Sequence, residues 1–207
     1  MNREVHARFC GNIGVKLPCV TRLAANQNQS LMRKSQIGKL YSFKFPKRKS
    51  EIQGVVLDYN DEWTLVKRTY DYSTDGFTVF KNDRVEAIQG EYEKFAEKIL
   101  KAKNYSPSKE PKIPIDRLDS LLSYVDKKYN LIQLDTSDGE AFDVVKYLGI
   151  ETNLYLFDEL TTRAKWRYKL KLPAKEIKYI SFGNDYLNSL KLVTKFKADR
   201  KTKTTGG

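Results

Sequence analysis

The chain has 207 residues, 40% of them hydrophobic and 12% aromatic, with a formal charge of +12. That length allows two small domains, and no apolar run approaches the roughly 18 residues of a membrane span. The charge is uneven: residues 1–50 carry eleven Lys/Arg against one acid and residues 195–207 five against one, while the middle is nearly neutral.

Basic ends of this kind attract phosphate backbones without base specificity, or simply keep the termini solvated. Residues 1–31 show no sustained period, so this segment is expected to be disordered or an artefact of an upstream start. It holds both cysteines, Cys10 and Cys19, and the single His6. Their spacing fits no zinc motif, and two cysteines do not make a disulfide scaffold, so a reducing cytoplasm is expected.

A first domain is expected over 36–103. Residues 38–45 alternate, with Tyr41, Phe43 and Phe45 on one face, as in a half-buried strand. Pro46 ends it, and Lys47-Arg48-Lys49 reads as a charged turn that could touch phosphate but more simply is a solvated loop. Ile52 to Tyr59 is the next strand, where Gly54 suggests a bulge or bend. Asn60-Asp61 turns the chain into Trp63 to Tyr70, with Trp63 and Leu65 on one face and Trp63 expected in the core. Ser73-Thr74-Asp75-Gly76 reads as a hairpin turn using a positive φ at Gly76. Phe77–Lys81 and Arg84–Gln89 complete a sheet. A helix follows from Glu91, with Tyr92, Phe95, Ala96, Ile99 and Leu100 as its apolar stripe, set to cover an open end of a barrel.

Residues 104–114 hold three of the six prolines and read as a stiff linker. A second domain is expected over 115–194. It opens with a helix from Ile115 to about Lys127. Strands follow at Ala141–Tyr147, Asn153–Phe157, Lys165–Leu172 and Lys175–Ser181. Leu134-Asp135-x-x-Asp138 echoes Leu57-Asp58-x-x-Asp61, and Ile177/Ile180 echo the spacing of Val85/Ile88. Gly183 precedes another amphipathic segment, with Leu187, Leu190 and Val193. The order of punctuation suggests a duplication. Residues 195–207 read as a disordered basic tail.

Ile52-x-Gly54-x-Val56 followed by Asp61-Glu62-Trp63-Thr64-Leu65 resembles the first motif of the Sm-like proteins. Phe77-x-Val79-Phe80-Lys81-Asn82-x-Arg84-Val85-x-x-Ile88 resembles the second. The resemblance implies a small, strongly bent five-stranded barrel, and hence a mainly β fold of two tandem Sm-like or SH3-like barrels, each followed by a helix. It also implies RNA as a ligand. Thr64 stands where the family has its RNA-contacting Asn, and Lys81-Asn82 where it has Arg-Gly.

No nucleotide-binding glycine loop or Ser-His-Asp arrangement is present, so no catalytic role and no cofactor are expected. Asp58, Asp61 and Glu62, with Asp135, Asp138 and Glu140 as a parallel set, could serve a metal-dependent hydrolase, but Asp and Asn at such places more simply shape turns. Lys165, Arg167, Lys169 and Lys171 alternate with Trp166, Tyr168, Leu170 and Leu172. On a strand this makes a cationic ladder near 7 Å per step, suited either to phosphates or to protecting an edge. Lys67, Arg68 and Lys81, with Tyr70 beside them, add basic and stacking groups. The favoured reading is a non-catalytic nucleic-acid-binding protein, RNA above all. The alternative is a protein-interaction module.

Overall fold

The computed structural model describes residues 21–23, 34–46, 48–136 and 142–204. His6, Cys10, Cys19, Asp138 and Glu140 lie outside them. In chain order the elements are β1 (Thr21–Leu23), β2 (Leu40–Lys44), β3 (Ile52–Tyr59), β4 (Trp63–Tyr70), β5 (Ser73–Lys81), β6 (Glu86–Gln89) and α1 (Glu91–Ala102). Then come α2 (Leu118–Tyr129), β7 (Ile132–Asp135), β8 (Asp143–Glu151), β9 (Leu154–Leu160), β10 (Trp166–Pro173), β11 (Tyr179–Phe182) and α3 (Asp185–Thr204).

Among the described residues the fold is mainly β with three α-helices, and the strands do not close into two barrels. They form one open antiparallel sheet in the order β1-β6-β2-β3-β4-β5-β11-β7-β8-β9-β10. The physical reason is the pairing of β5 with β11: Phe80, Val79, Thr78 and Phe77 stand opposite Tyr179, Ile180, Ser181 and Phe182. Within each half the order is nonetheless the same. The fifth strand lies beside the first, followed by the second, third and fourth.

The halves also share their irregularities. Between the second and third strands the register slips by one residue, at Leu57 in the first half and Leu148 in the second. Between the third and fourth it slips again, past Lys67 and past Trp166. Extra residues of this kind bend and twist a sheet. The correspondence read from sequence is corrected in detail. Leu57 lies on a second strand and Leu134 on a first, so that echo is coincidental. Ala87, not Ile88, matches Ile180 by register, and both are fully buried.

Turn chemistry explains several boundaries. The Asn60 side-chain oxygen accepts the N–H groups of Glu62 and Trp63, fixing the β3–β4 turn. The β4–β5 reversal falls at Asp71-Tyr72, three residues before the expected turn. Gly76, with φ +64°, instead lies within β5, where a Cβ would come within 2.7 Å of the Phe182 carbonyl and the Asn184 nitrogen. Gly54 likewise marks close approach, its missing Cβ leaving room for the Lys67 carbonyl.

The cores do not divide by halves either. The largest cluster joins Trp63, Leu65, Phe77 and Val79 to Leu121, Leu122 and Val125 of α2, and to Leu134, Phe157, Ile180 and Phe182. Trp63 is buried as expected, but in a core that both halves share. A second cluster, around Phe43, Val66 and Phe80, has its buried residues in the first half, with Tyr179 of β11 packed against it. α1 covers Leu40 and Val55 with Ala96 and Leu100, on the face of β2 opposite Phe43. Its expected stripe is rotated: Tyr92 and Phe95 are exposed, and Glu93 is buried where it accepts the Ser42 hydroxyl and the Gly90 N–H.

The proline-rich connection is docked rather than free. Ile113 and Ile115 are buried, and the Ile115 carbonyl accepts Asn60 Nδ2 at 2.8 Å. β1 adds three residues of the supposedly disordered N-terminal segment to the edge of β6. α3 continues through Thr204, into the stretch read as a disordered tail. Among the described residues no helix is long and apolar enough to cross a membrane.

Two substitutions check this packing by chemical denaturation. Trp63→Ala is expected to cost about 3–5 kcal/mol. Gly76→Ala is expected to cost more than about 1 kcal/mol, because φ is positive and backbone lies where its Cβ must go.

Candidate nucleic-acid interface at the seam

The pairing of β5 with β11 leaves a recess of about 160 Å³ where the halves meet. Arg48, Arg68, Tyr70, Asp75, Gln133 and Asn184 are among its walls. Each is placed by the fold. Arg68 and Tyr70 lie two apart near the end of β4 and so share a face. Arg48 comes from the β2–β3 loop. Asp75 accepts the backbone N–H of Asp185, and Asn184 Oδ1 accepts that of Leu187, so both hold the start of α3.

The two arginines are in different states. Arg48 donates to Asp135 at 3.0 Å, with side-chain exposures of 17% and 8%, and its guanidinium lies 5.1 Å from the Tyr179 ring centre. Its Nε donates to the Ser50 carbonyl. Arg68 donates from Nη2 to the Tyr70 hydroxyl at 3.1 Å and lies over that ring. Its Nε is buried and has no partner among the described residues. Burial pushes the guanidinium pKa down from its ordinary value; Tyr70 and Asp75 oppose the shift and Arg48 adds to it. No carboxylate forms an ion pair with Arg68 among the described residues.

Phe142 forms part of the wall of this recess and also of a larger, shallower cleft of about 630 Å³. Arg163, Lys165 and Arg167 line the cleft, with Asp143, Glu159 and Tyr186. Phe142 and Tyr186 are both exposed and meet edge to face at 6.1 Å. Lys197 of α3 donates to the Arg163 carbonyl, tying that helix to the rim.

The structure thus brings together four of the eight residues singled out in the sequence, Arg68 with Tyr70 and Lys165 with Arg167. It separates the others. Lys67 lies 4.1 Å from the centre of the Phe77 ring and 3.7 Å from Glu110. Lys81 is held by Glu62 at 3.3 Å and the Ala174 carbonyl at 3.2 Å, over Trp63. The ladder is broken as well. Lys165 precedes β10, the register slips between Trp166 and Lys169, and Lys171 pairs with Glu151 at 2.8 Å. Lys169 stands opposite Asp158, and Arg167 lies 3.7 Å from Glu159. Acids on β8 and β9 therefore offset much of that strand's charge.

The positions the family resemblance marks for RNA contact are also occupied. Thr64 is fully buried and donates to Asn82 Oδ1 at 2.7 Å, while Asn82 Nδ2 donates to the Asn60 carbonyl. Of the Asp turns, Glu62 is committed to Lys81 and Asp135 to Arg48. No group of three His, Cys, Asp or Glu suited to a metal occurs among the described residues. Sequence reasoning weighed Arg48 only as part of a charged turn that could touch phosphate, and missed Phe142, Arg163 and Tyr186. Arg163 lies just before Lys165 and carried a signal; Arg48, Phe142 and Tyr186 are made neighbours only by the tertiary fold. Comparisons with family models, curated proteins and solved structures return no match to this chain.

The Arg48–Asp135 pair is part of the recess wall. Arg48→Met leaves Asp135 without this partner and is expected to cost about 3–5 kcal/mol at neutral pH. The double variant Arg48→Met/Asp135→Asn is expected to recover most of that loss in equilibrium unfolding.

Proposed function

We propose that the protein is a non-catalytic nucleic-acid-binding protein, with single-stranded RNA as its ligand, built from two Sm-like units fused through one sheet. The fused-unit reading is supported by the common strand order and by bulges at matching places in both halves. Leu40, Val56 and Leu65 correspond by register to Leu131, Tyr147 and Leu156, all at one constant sequence offset.

The single observation that carries the binding reading is that Phe142 lines both the recess and the cleft. It sets exposed aromatic rings beside Arg68, Arg163, Lys165 and Arg167. Readers of single strands combine these two elements, rings on which bases stack and cations that follow the backbone. The cleft volume lies within the roughly 300–1,000 Å³ range of ligand sites, which suits one or two nucleotides. The scarcity of cysteines supports a reducing cytoplasm as the setting.

A protein-interaction role is the second reading. β10 is a sheet edge with no further strand beside it among the described residues, and Tyr72, Tyr92 and Phe95 form an aromatic group beside α1.

Fluorescence anisotropy with a labelled single-stranded RNA, repeated over a range of salt, separates the two. Binding is expected to weaken linearly in log–log form. The Arg163→Gln/Lys165→Gln/Arg167→Gln variant should lower the slope by about 0.7 for each phosphate it no longer neutralises. Lys169→Gln/Lys171→Gln should change it less. Phe142→Ala should weaken binding by about 1–3 kcal/mol if one base stacks there. Absence of salt-dependent binding even at low salt would leave the interaction reading.

A further inference from the structure

The nucleic-acid reading uses the rings and cations along the 630 Å³ cleft, with Arg68 beside them, but it does not say which group enters the smaller recess. At about 160 Å³ the recess falls below the roughly 300 Å³ of the smallest common ligand sites. It has room for one compact polar group and not for a nucleoside. Its chemistry indicates the sign of that group. Arg68 brings a buried Nε–H that no described residue accepts, on a guanidinium already weakened by burial. A cation in that setting is costly unless an anion meets it.

Neither carboxylate in the wall forms an ion pair with Arg68 among the described residues, although the charge of Asp75 favours the Arg68 cation. Asp135 is held by Arg48 at 3.0 Å, and Asp75 accepts the Asp185 N–H at 2.9 Å. Further donors face the same space. Gln133 accepts the Asn184 amide through Oε1, a bond that does not use its own amide nitrogen. Thr78 and Ser181 share one hydroxyl–hydroxyl bond at 2.8 Å, which leaves one O–H to donate. A guanidinium, an amide and a hydroxyl supply at least three donors. A phosphate monoester presents three terminal oxygens and a charge of about −1.5 to −2 at pH 7. An internal phosphodiester presents only two such oxygens and one charge, and must leave the recess at both ends.

We propose that this recess is a phosphomonoester site in which Arg68, Gln133 and the Thr78/Ser181 hydroxyls grip a terminal phosphate, while the nucleoside bearing it lies over Phe142 towards the cleft. Combined with the nucleic-acid reading, on which the choice of an oligonucleotide rests, the site selects strands ending in a phosphate. The same chemistry also accepts a free nucleoside monophosphate.

The test measures binding of the full chain to one RNA sequence in three forms, with a 5′-phosphate, with a 3′-phosphate and with hydroxyls at both ends. A nucleoside monophosphate alone is the fourth ligand. One phosphorylated strand is expected to bind at least tenfold more tightly than the hydroxyl-ended strand. Arg68→Gln should abolish that preference, while Tyr70→Phe, which keeps the ring under Arg68, should retain most of it. The comparison of ligands on the unmodified protein stands even if a variant fails to fold. Equal binding of all three strands would overturn the phosphomonoester site and leave the nucleic-acid reading intact. Binding of the monophosphate without any strand would keep the site and overturn the nucleic-acid reading. Binding of none would overturn both.

Discussion

Everything in this molecule depends on the four-residue pairing of β5 with β11. Both strands are apolar or aromatic on the shared core face. Phe77 stacks on Phe182 at 5.5 Å, and the Thr78 and Ser181 hydroxyls bond across the other face. The pairing joins two sets of five strands, with β1 added at one edge, into one sheet and puts Trp63 and Phe157 into one core. It also demands Gly76, since any side chain there would meet the backbone that leads into α3. The recess is what remains where the paired strands part: one wall comes from β4 and β5, another from β7 and β11.

The seam also sorts the positive charges. Cations near shared apolar surface are absorbed by it: Lys67 over Phe77, Lys81 over Trp63, and Arg48 against Tyr179 and Asp135. Those on β10 meet acids from β8 and β9. Arg68 differs in that its immediate partner is the neutral Tyr70. A basic composition therefore says little about where an anion binds until the internal pairing is known. Here that pairing leaves Arg68 without an ion pair among the described residues, while Arg167 on the rim of the adjoining cleft lies 3.7 Å from Glu159.

Much of the secondary structure was legible in the sequence because strand alternation and turn residues are local signals. Ile52–Tyr59, Trp63–Tyr70 and most of Trp166–Pro173 lie where their patterns put them. What failed was information held elsewhere in the chain. Arg48 reads as a solvated turn residue because Asp135 is 87 positions away. The apolar stripe of α1 misleads because Glu93, polar by type, is buried through its bonds to Ser42 and Gly90. The two-barrel expectation missed the single sheet because nothing local shows that Thr78 will meet Ser181, 103 positions on. Arg68 and Tyr70 were visible as a basic and aromatic pair, yet their shared pocket needs residues from the other half. Phe142 looked like an ordinary strand residue until the fold set it between recess and cleft.

The central claim is that the seam is an integral part of one cooperative structure and not a loose contact between two modules. Native-state hydrogen exchange tests it most directly, comparing the β5 and β11 amides with hydrogen-bonded amides of β3 and β4 inside the first half. The account predicts that the hydrogen-bonded amides of Phe77–Phe80 and Tyr179–Phe182 exchange only through global unfolding, with the same free energy and denaturant dependence as those of Val55, Val56 and Val66. Seam amides that open at a lower free energy, while both halves remain protected, would contradict it.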